Sequence, residues 1–236
     1  MTIPPLNDLV EGLKEGDSKR ASSSVNTLVD QGIDVKTILV DGVLKAVLDI
    51  GEAICSVPEY SEEEKVAMKK WTESLMALYN VLMQINMKIK VPEPPVGKVI
   101  FACVIGEGHI MIKEVLAAIF KANGFQVHNF PQAANPDMIV KKAKEMDANL
   151  LVLSAAYTKT IPTIKEIIEA LKKADLREKV KIMIGGPLIN KDLLVSTYKM
   201  SEKDAIELIK GLEEEIDLLT NDVLGSIEEA KKLIGV

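Results

Sequence analysis

Residues 91–97, Val-Pro-Glu-Pro-Pro-Val-Gly, constrain this chain more than any other stretch. Prolines at 92, 94 and 95 fix φ and remove three backbone donors, so neither a helix nor a central strand can run through them. The hydrophobic rhythm also differs on the two sides. Before the break, apolar residues recur at three and four, as on one face of a helix; after it, short apolar runs alternate with amphipathic stretches. The sequence therefore predicts a helical domain over 1–90, a linker over 91–97 and an α/β domain over 98–236.

Four helices are predicted in the first part. Asn7 to Lys14 is the first, stopped by Glu15-Gly16-Asp17. Asp17 caps a second over 18–31, and Asp34 caps a third over 35–54. Ser61 with Glu64 reads as a capping box for a long fourth helix carrying Val66, Trp71, Met76, Leu78, Val81, Leu82 and Ile85. Met68, Met76, Met83 and Met87 on that helix read as core filler, since only 4% of residues are aromatic and an aliphatic core uses Met to fill gaps.

The second part alternates. Strands are predicted over 99–105, 126–130, 150–153 and 180–184, and helices over 110–123, 135–146, 161–174, 190–196, 202–219 and 222–234. A fifth strand is hidden at best within Leu193 to Tyr198. Such alternation gives a doubly wound parallel sheet, whose ligands sit beyond the carboxyl ends of the strands. The loops that matter are then 106–109, 131–134, 154–160 and 185–189.

Composition excludes several classes of function. The net charge is −6, so no broad cationic field is available for nucleic acid. Residues 1–200 balance; residues 201–236 hold four Lys against ten Asp or Glu and carry the whole excess, as a solvated helix face or a docking surface for a basic partner. No apolar run reaches the roughly 18 residues that span a membrane, and the N-terminus lacks a leader pattern, so a cytoplasmic location is expected. Two histidines and two cysteines, none closely paired, do not make a Cys/His zinc cage or a disulfide framework.

The loops themselves are specific in what they lack. Gly106-Glu107-Gly108-His109 follows the first strand, but Met111 stands where a dinucleotide fingerprint needs its third glycine. No phosphate loop is present, and Ser154 occupies the position where a phospho-receiver needs Asp. Ser154 is surrounded by no nucleophile elbow and reads as a ligand contact or a helix cap, with Thr160 the better cap. His109 has two readings: a metal ligand whose second ring nitrogen is held by Glu107, or a cap on the following helix. Gly185-Gly186 admits a bulky ligand or simply turns the chain.

These motifs together resemble the corrinoid proteins of cobalamin-dependent methyltransferase systems. The family pattern D-x-H-x-x-G appears here as Glu107-Gly108-His109-Ile110-Met111-Ile112, flanked by Gly106 and Lys113. The serine motif reads Ser154-Ala155-Ala156-Tyr157-Thr158, and the glycine pair is Gly185-Gly186. Gly51-Glu52 and Val57-Pro58-Glu59 match landmarks of the helical half. Glu107 replaces Asp, Ile112 replaces the last Gly, Ala156 replaces Leu, and the helical segment between its landmarks is shortened.

The resemblance implies a four-helix bundle cap followed by a Rossmann-like, flavodoxin-like cobalamin-binding domain. It implies cobalamin bound with its own base displaced, His109 as the lower axial cobalt ligand and Glu107 on its other nitrogen. Gly106, Gly108, Ile110, Ile112, Ser154, Ala156, Thr158, Gly185 and Gly186 would contact the cofactor. The chain would be a non-catalytic carrier. It would take a methyl group from a substrate-specific methyltransferase and pass it to a second methyltransferase with a pterin or thiol acceptor. A reductive activase would restore it, and the 92–97 segment would act as a hinge. A cobalamin sensor, or a degenerate relative binding proteins or another ligand, are the alternatives.

Overall fold

A computed structural model describes residues 3–55, 62–104, 110–155, 158–196 and 198–236. The chain divides into two compact units, Met1–Lys90 with Glu114–Ala122, and Val91–Lys113 with Asn123–Val236.

The first unit is helical: α1 (Pro4–Glu15), α2 (Ser18–Asp30), α3 (Val35–Thr37), a π-helical segment over Ile38–Leu44, α4 (Lys45–Cys55) and α5 (Glu62–Lys88). The third predicted helix is thus continuous but wound wider in its middle. Its Gly42 lies beneath α1, where an added Cβ would come within 2.7 Å of Leu9 Cδ2. Asp17 caps α2 by accepting from the Lys19 and Arg20 amides, a contribution of about 1 kcal/mol. Asp34 holds the N-cap position of α3 without a side-chain cap bond, and Ser61 lies outside the described residues. Leu9, Leu13, Leu28, Ile38, Leu39, Leu78 and Ile85 are fully enclosed in this unit, each worth roughly 1.5–3 kcal/mol against exposure.

The methionine reading does not hold for Met76, Met83 and Met87; the side chain of Met68 lies outside the described residues. Met76, Met83 and Met87 are 59%, 63% and 73% exposed, and Val66 is 69% exposed. The buried face of α5 is instead Ser74, Ala77, Leu78, Val81, Leu82 and Ile85. Apolar residues occupy both sides of this helix, and periodicity alone did not reveal which side the bundle covers.

The second unit is a five-stranded parallel sheet in the order β2-β1-β3-β4-β5. The strands are β1 (Lys98–Cys103), β2 (Gln126–Asn129), β3 (Leu150–Ser154), β4 (Lys181–Gly185) and β5 (Leu218–Leu219). After β1 comes α6 (Ile110–Ala122), which from Glu114 on falls within the first unit; between and after the other strands run α7 (Pro136–Met146), α8 (Ile161–Lys173), α9 (Lys191–Ser196), α10 (Glu202–Glu213) and α11 (Ser226–Ile234). Both faces of the central strands are buried, as the continuous apolar runs predicted. Ile100, Leu151, Leu153, Ile182 and Ile184 meet Ile164, Ile168 and Leu171 of α8 and Ile139 of α7 on one face.

The fifth strand is not at 193–198, where α9 stands, but at Leu218–Leu219, inside the stretch predicted as helix 202–219. The helix stops because Asp217 is claimed by tertiary partners. Its carboxylate accepts from the Ile182 amide at 2.8 Å and pairs with Arg177 at 2.8 Å and Lys181 at 3.6 Å. These bonds hold the turn that leads into Leu218–Leu219, which pair with β4, and Ile216 packs into the core. The last helix accordingly begins at Ser226 rather than 222.

Candidate functional site

The order β2-β1-β3 places the switch of chain direction between β1 and β3, so the crevice for a ligand opens at their carboxyl ends. The sheet register puts Cys103, Ser154 and Gly185 side by side across those ends. Three small residues in a row leave a shelf, whereas the preceding row is Ala102, Leu153 and Ile184. The shelf is rigidly framed by backbone bonds. Ala134 donates to Cys103 at 3.0 Å, Ala155 to Gly185 at 3.0 Å, Leu188 to Ala155 at 3.2 Å and Thr220 to Ile184 at 3.0 Å.

The predicted site residues divide by what the structure describes. Gly106, Glu107, Gly108, His109 and Ala156 lie outside the described residues. Ser154 is half-buried at the end of β3. Thr158 begins a 3-10 turn over Thr158–Thr160 that leads into α8. Thr160 holds the N-cap position of α8 but makes no side-chain cap bond, so the expected cap is absent. Ile110 and Ile112 are half-buried in the first turn of α6, alternating with buried Met111 and Lys113.

Both glycines of the pair have reasons within the fold. Gly186 has φ +123°, and an added Cβ would lie 2.4 Å from the Ala155 carbonyl oxygen. At Gly185 an added Cβ would lie 3.0 Å from the Thr220 carbonyl oxygen. Turning the chain and keeping the shelf low are therefore one requirement, not two alternatives.

Lys113 is 2% exposed, and its ammonium donates to Asn129 Oδ1 and, at 2.7 Å, to the Phe130 carbonyl. It ties the start of α6 to the end of β2. Asn221 was missed by sequence reasoning: its Oδ1 accepts from the Gly186 amide at 2.9 Å. The loop after β5 thus belongs to the edge of the sheet, but it is invisible until β5 itself is recognised.

His128 sits on β2, edge-on to Phe130 with ring centroids 4.6 Å apart. Its Nε2 is buried without a hydrogen-bond partner. Burial, and then the nearby Lys142, push its pKa below the ordinary histidine value, against a smaller opposing pull from Glu145. Among the described residues no three His, Cys, Asp or Glu side chains gather as a metal site, and no helix is long and apolar enough to cross a membrane.

The model of the B12 binding domain family matches residues 97–204. This stretch is similar to that domain. The match takes in four of the five strands of the sheet, together with all the predicted site residues. A corrinoid protein of Desulfitobacterium hafniense is 26% identical over 79% of this chain and 85% of its own length. Dimethylamine corrinoid protein 3 of Methanosarcina mazei is 37% identical over 38% of this chain and 54% of its own. The chain spans about half the length of several such dimethylamine corrinoid relatives. In fold, the monomethylamine corrinoid protein of Methanosarcina barkeri superposes with a TM-score of 0.68 at 18% identity, covering 98% of each chain.

The described residues of the second unit fit a corrinoid. A corrin supplies four nitrogens to its cobalt, so the chain need supply only one further donor and room for a large ligand. The row of small residues Cys103, Ser154 and Gly185 would leave such room at the carboxyl edge of the sheet. His109 immediately precedes α6, whose start Lys113 anchors.

Proposed function

We propose that this chain is a corrinoid methyl carrier, taking a methyl group from a substrate-specific methyltransferase and yielding it to a second methyltransferase. The observation that carries the reading is the B12-binding family match over a sheet whose carboxyl edge is a row of small residues. The bound corrinoid would supply a cobalt centre able to take up and release the methyl group. His109 would offer one ring nitrogen to the cobalt. Glu107 would hold the proton on the other nitrogen, fixing the tautomer and raising the basicity of the ligating atom. Ser154 and Thr158 would offer hydroxyls to the ligand, and Gly185 and Gly186 would let it approach the backbone. Dimethylamine corrinoid relatives support a methylated amine as the origin of the methyl group.

The test is to incubate the purified chain with hydroxocobalamin, desalt it and record the visible spectrum beside His109→Ala. The expected outcome is retained corrinoid with a histidine-ligated, base-off spectrum that the variant loses. Absence of retained corrinoid overturns the reading. It would favour a relative that has abandoned the cofactor, consistent with half-buried Ile112 where the family pattern has glycine.

A further inference from the structure

The edge strand β5 extends the carboxyl end of the sheet one place beyond Gly185. Ile184 stands beside Leu219, and the Thr220 amide donates to the Ile184 carbonyl at 3.0 Å, so Thr220 comes beside Gly185 and Asn221 beside Gly186. The loop that follows is braced from within. The Asp222 amide donates to Thr220 Oγ1 at 3.2 Å, the Gly225 amide to Asp222 Oδ1 at 2.9 Å, and Ser226 Oγ to the Val223 carbonyl at 2.7 Å. Asn221 is held between these anchors and the sheet, and it is exposed.

One half of its amide group is committed. The Gly186 N–H can only donate, so the atom that meets it at 2.9 Å is Oδ1, and Nδ2 carries both of its hydrogens away from that bond. Nδ2 has no hydrogen-bond partner among the described residues. Holding the Gly186 turn needs an acceptor alone, and a carboxylate accepts more strongly than an amide. Asn supplies what Asp cannot: two donors and no charge, beside the row of Cys103, Ser154 and Gly185.

We infer that Asn221 is a corrinoid-binding residue, its Nδ2 donating to an acceptor oxygen of the ligand. This rests on the carrier reading above, and it adds a contact from beyond the matched residues 97–204. The acceptor is an oxygen of a corrin amide side chain or of the phosphate in the nucleotide tail. Nδ2 suits both, and a carboxylate at this position would repel either.

Titration of the full chain with hydroxocobalamin, followed by the visible spectrum, tests this beside Asn221→Asp and Asn221→Ala. Asn221→Asp keeps an acceptor for Gly186, so its thermal midpoint without ligand is expected to stay within about 2 °C of the wild type. Its dissociation constant for the corrinoid is expected to rise about ten-fold. Asn221→Ala is expected to lose affinity and thermal stability together. Cobinamide, which has the corrin amides but no nucleotide tail, separates the two acceptors. The loss persists with cobinamide if the acceptor is on the ring, and disappears if it is the phosphate. Wild-type affinity in Asn221→Asp overturns the inference and leaves the carrier reading standing, as does a fall in affinity matched by a fall in its thermal midpoint. A wild-type chain that retains no corrinoid overturns both.

Discussion

The Lys113 ammonium, almost wholly enclosed, donates to the Phe130 carbonyl oxygen at 2.7 Å and also to Asn129 Oδ1. A charge removed from water is tolerable only when it is hydrogen-bonded, and here both acceptors come from the end of β2. Lys113→Met keeps the volume and removes both of these bonds. Urea unfolding at pH 7 is expected to show a loss of about 2–3 kcal/mol. A loss under about 0.5 kcal/mol would mean that these bonds do not hold the start of α6 at the end of β2.

The glycine pair separates by backbone conformation. Gly186→Ala forces a β-carbon to within 2.4 Å of the Ala155 oxygen at φ +123°, and is expected to cost roughly 2–4 kcal/mol. Gly185→Ala meets only the Thr220 oxygen at 3.0 Å and is expected to cost about 1 kcal/mol. Equal midpoints for the two variants in thermal unfolding would contradict this ordering.

Asp217 is the pin of the fifth strand. Its side chain is 16% exposed and that of Arg177 is 17% exposed, so their 2.8 Å pair is only weakly screened. Asp217→Ala also frees the Ile182 amide. It is expected to lower stability by about 2–4 kcal/mol and to accelerate amide exchange at Ile182 and Thr220 before the rest of the sheet. Asp217→Asn, which keeps an acceptor for Ile182, is expected to lose less.

His128 makes stability depend on pH. Its folded pKa lies below the unfolded value because burial, helped by Lys142, disfavours the imidazolium. Below about pH 6.5 the unfolded chain therefore binds the proton more readily than the folded one. Stability from this residue is complete above that pH, falls as the pH drops through it, and levels off once the folded imidazole also protonates. The stability difference between the wild type and His128→Phe is expected to drift in the wild type's disfavour on acidification from pH 7.5 to 5. A pH-independent difference would refute the assignment.

Much of the fold was legible because its signals are local. The proline break, the Asp17 cap, the Asn135-Pro136 helix start and the unbroken apolar runs of β1 and β3 each act within a few residues. The candidate site residues His109, Ser154 and Gly185-Gly186 came from the family resemblance; of these the structure describes Ser154 and the glycine pair, with Ser154 beside Gly185 at the ends of β3 and β4. Asn221 was not, because its role depends on β5, a two-residue strand with no periodicity of its own. Thr160 looked like a cap by residue type, but it is fully buried and makes no cap bond to α8.

By itself the sequence determined that a helical half precedes an α/β half, and that any metal chemistry must rest on very few donors. Backbone propensity and hydrophobic period settle such matters before any long-range contact forms. Only the tertiary structure decided that Leu218–Leu219 become the sheet's edge rather than the end of a helix. It alone also decided that Met76, Met83 and Met87 of α5 face outward. Both outcomes depend on which neighbour occupies a given side, the Arg177–Asp217 pair in one case and the bundle core in the other. A one-dimensional pattern carries the period of a surface but not the identity of what lies against it.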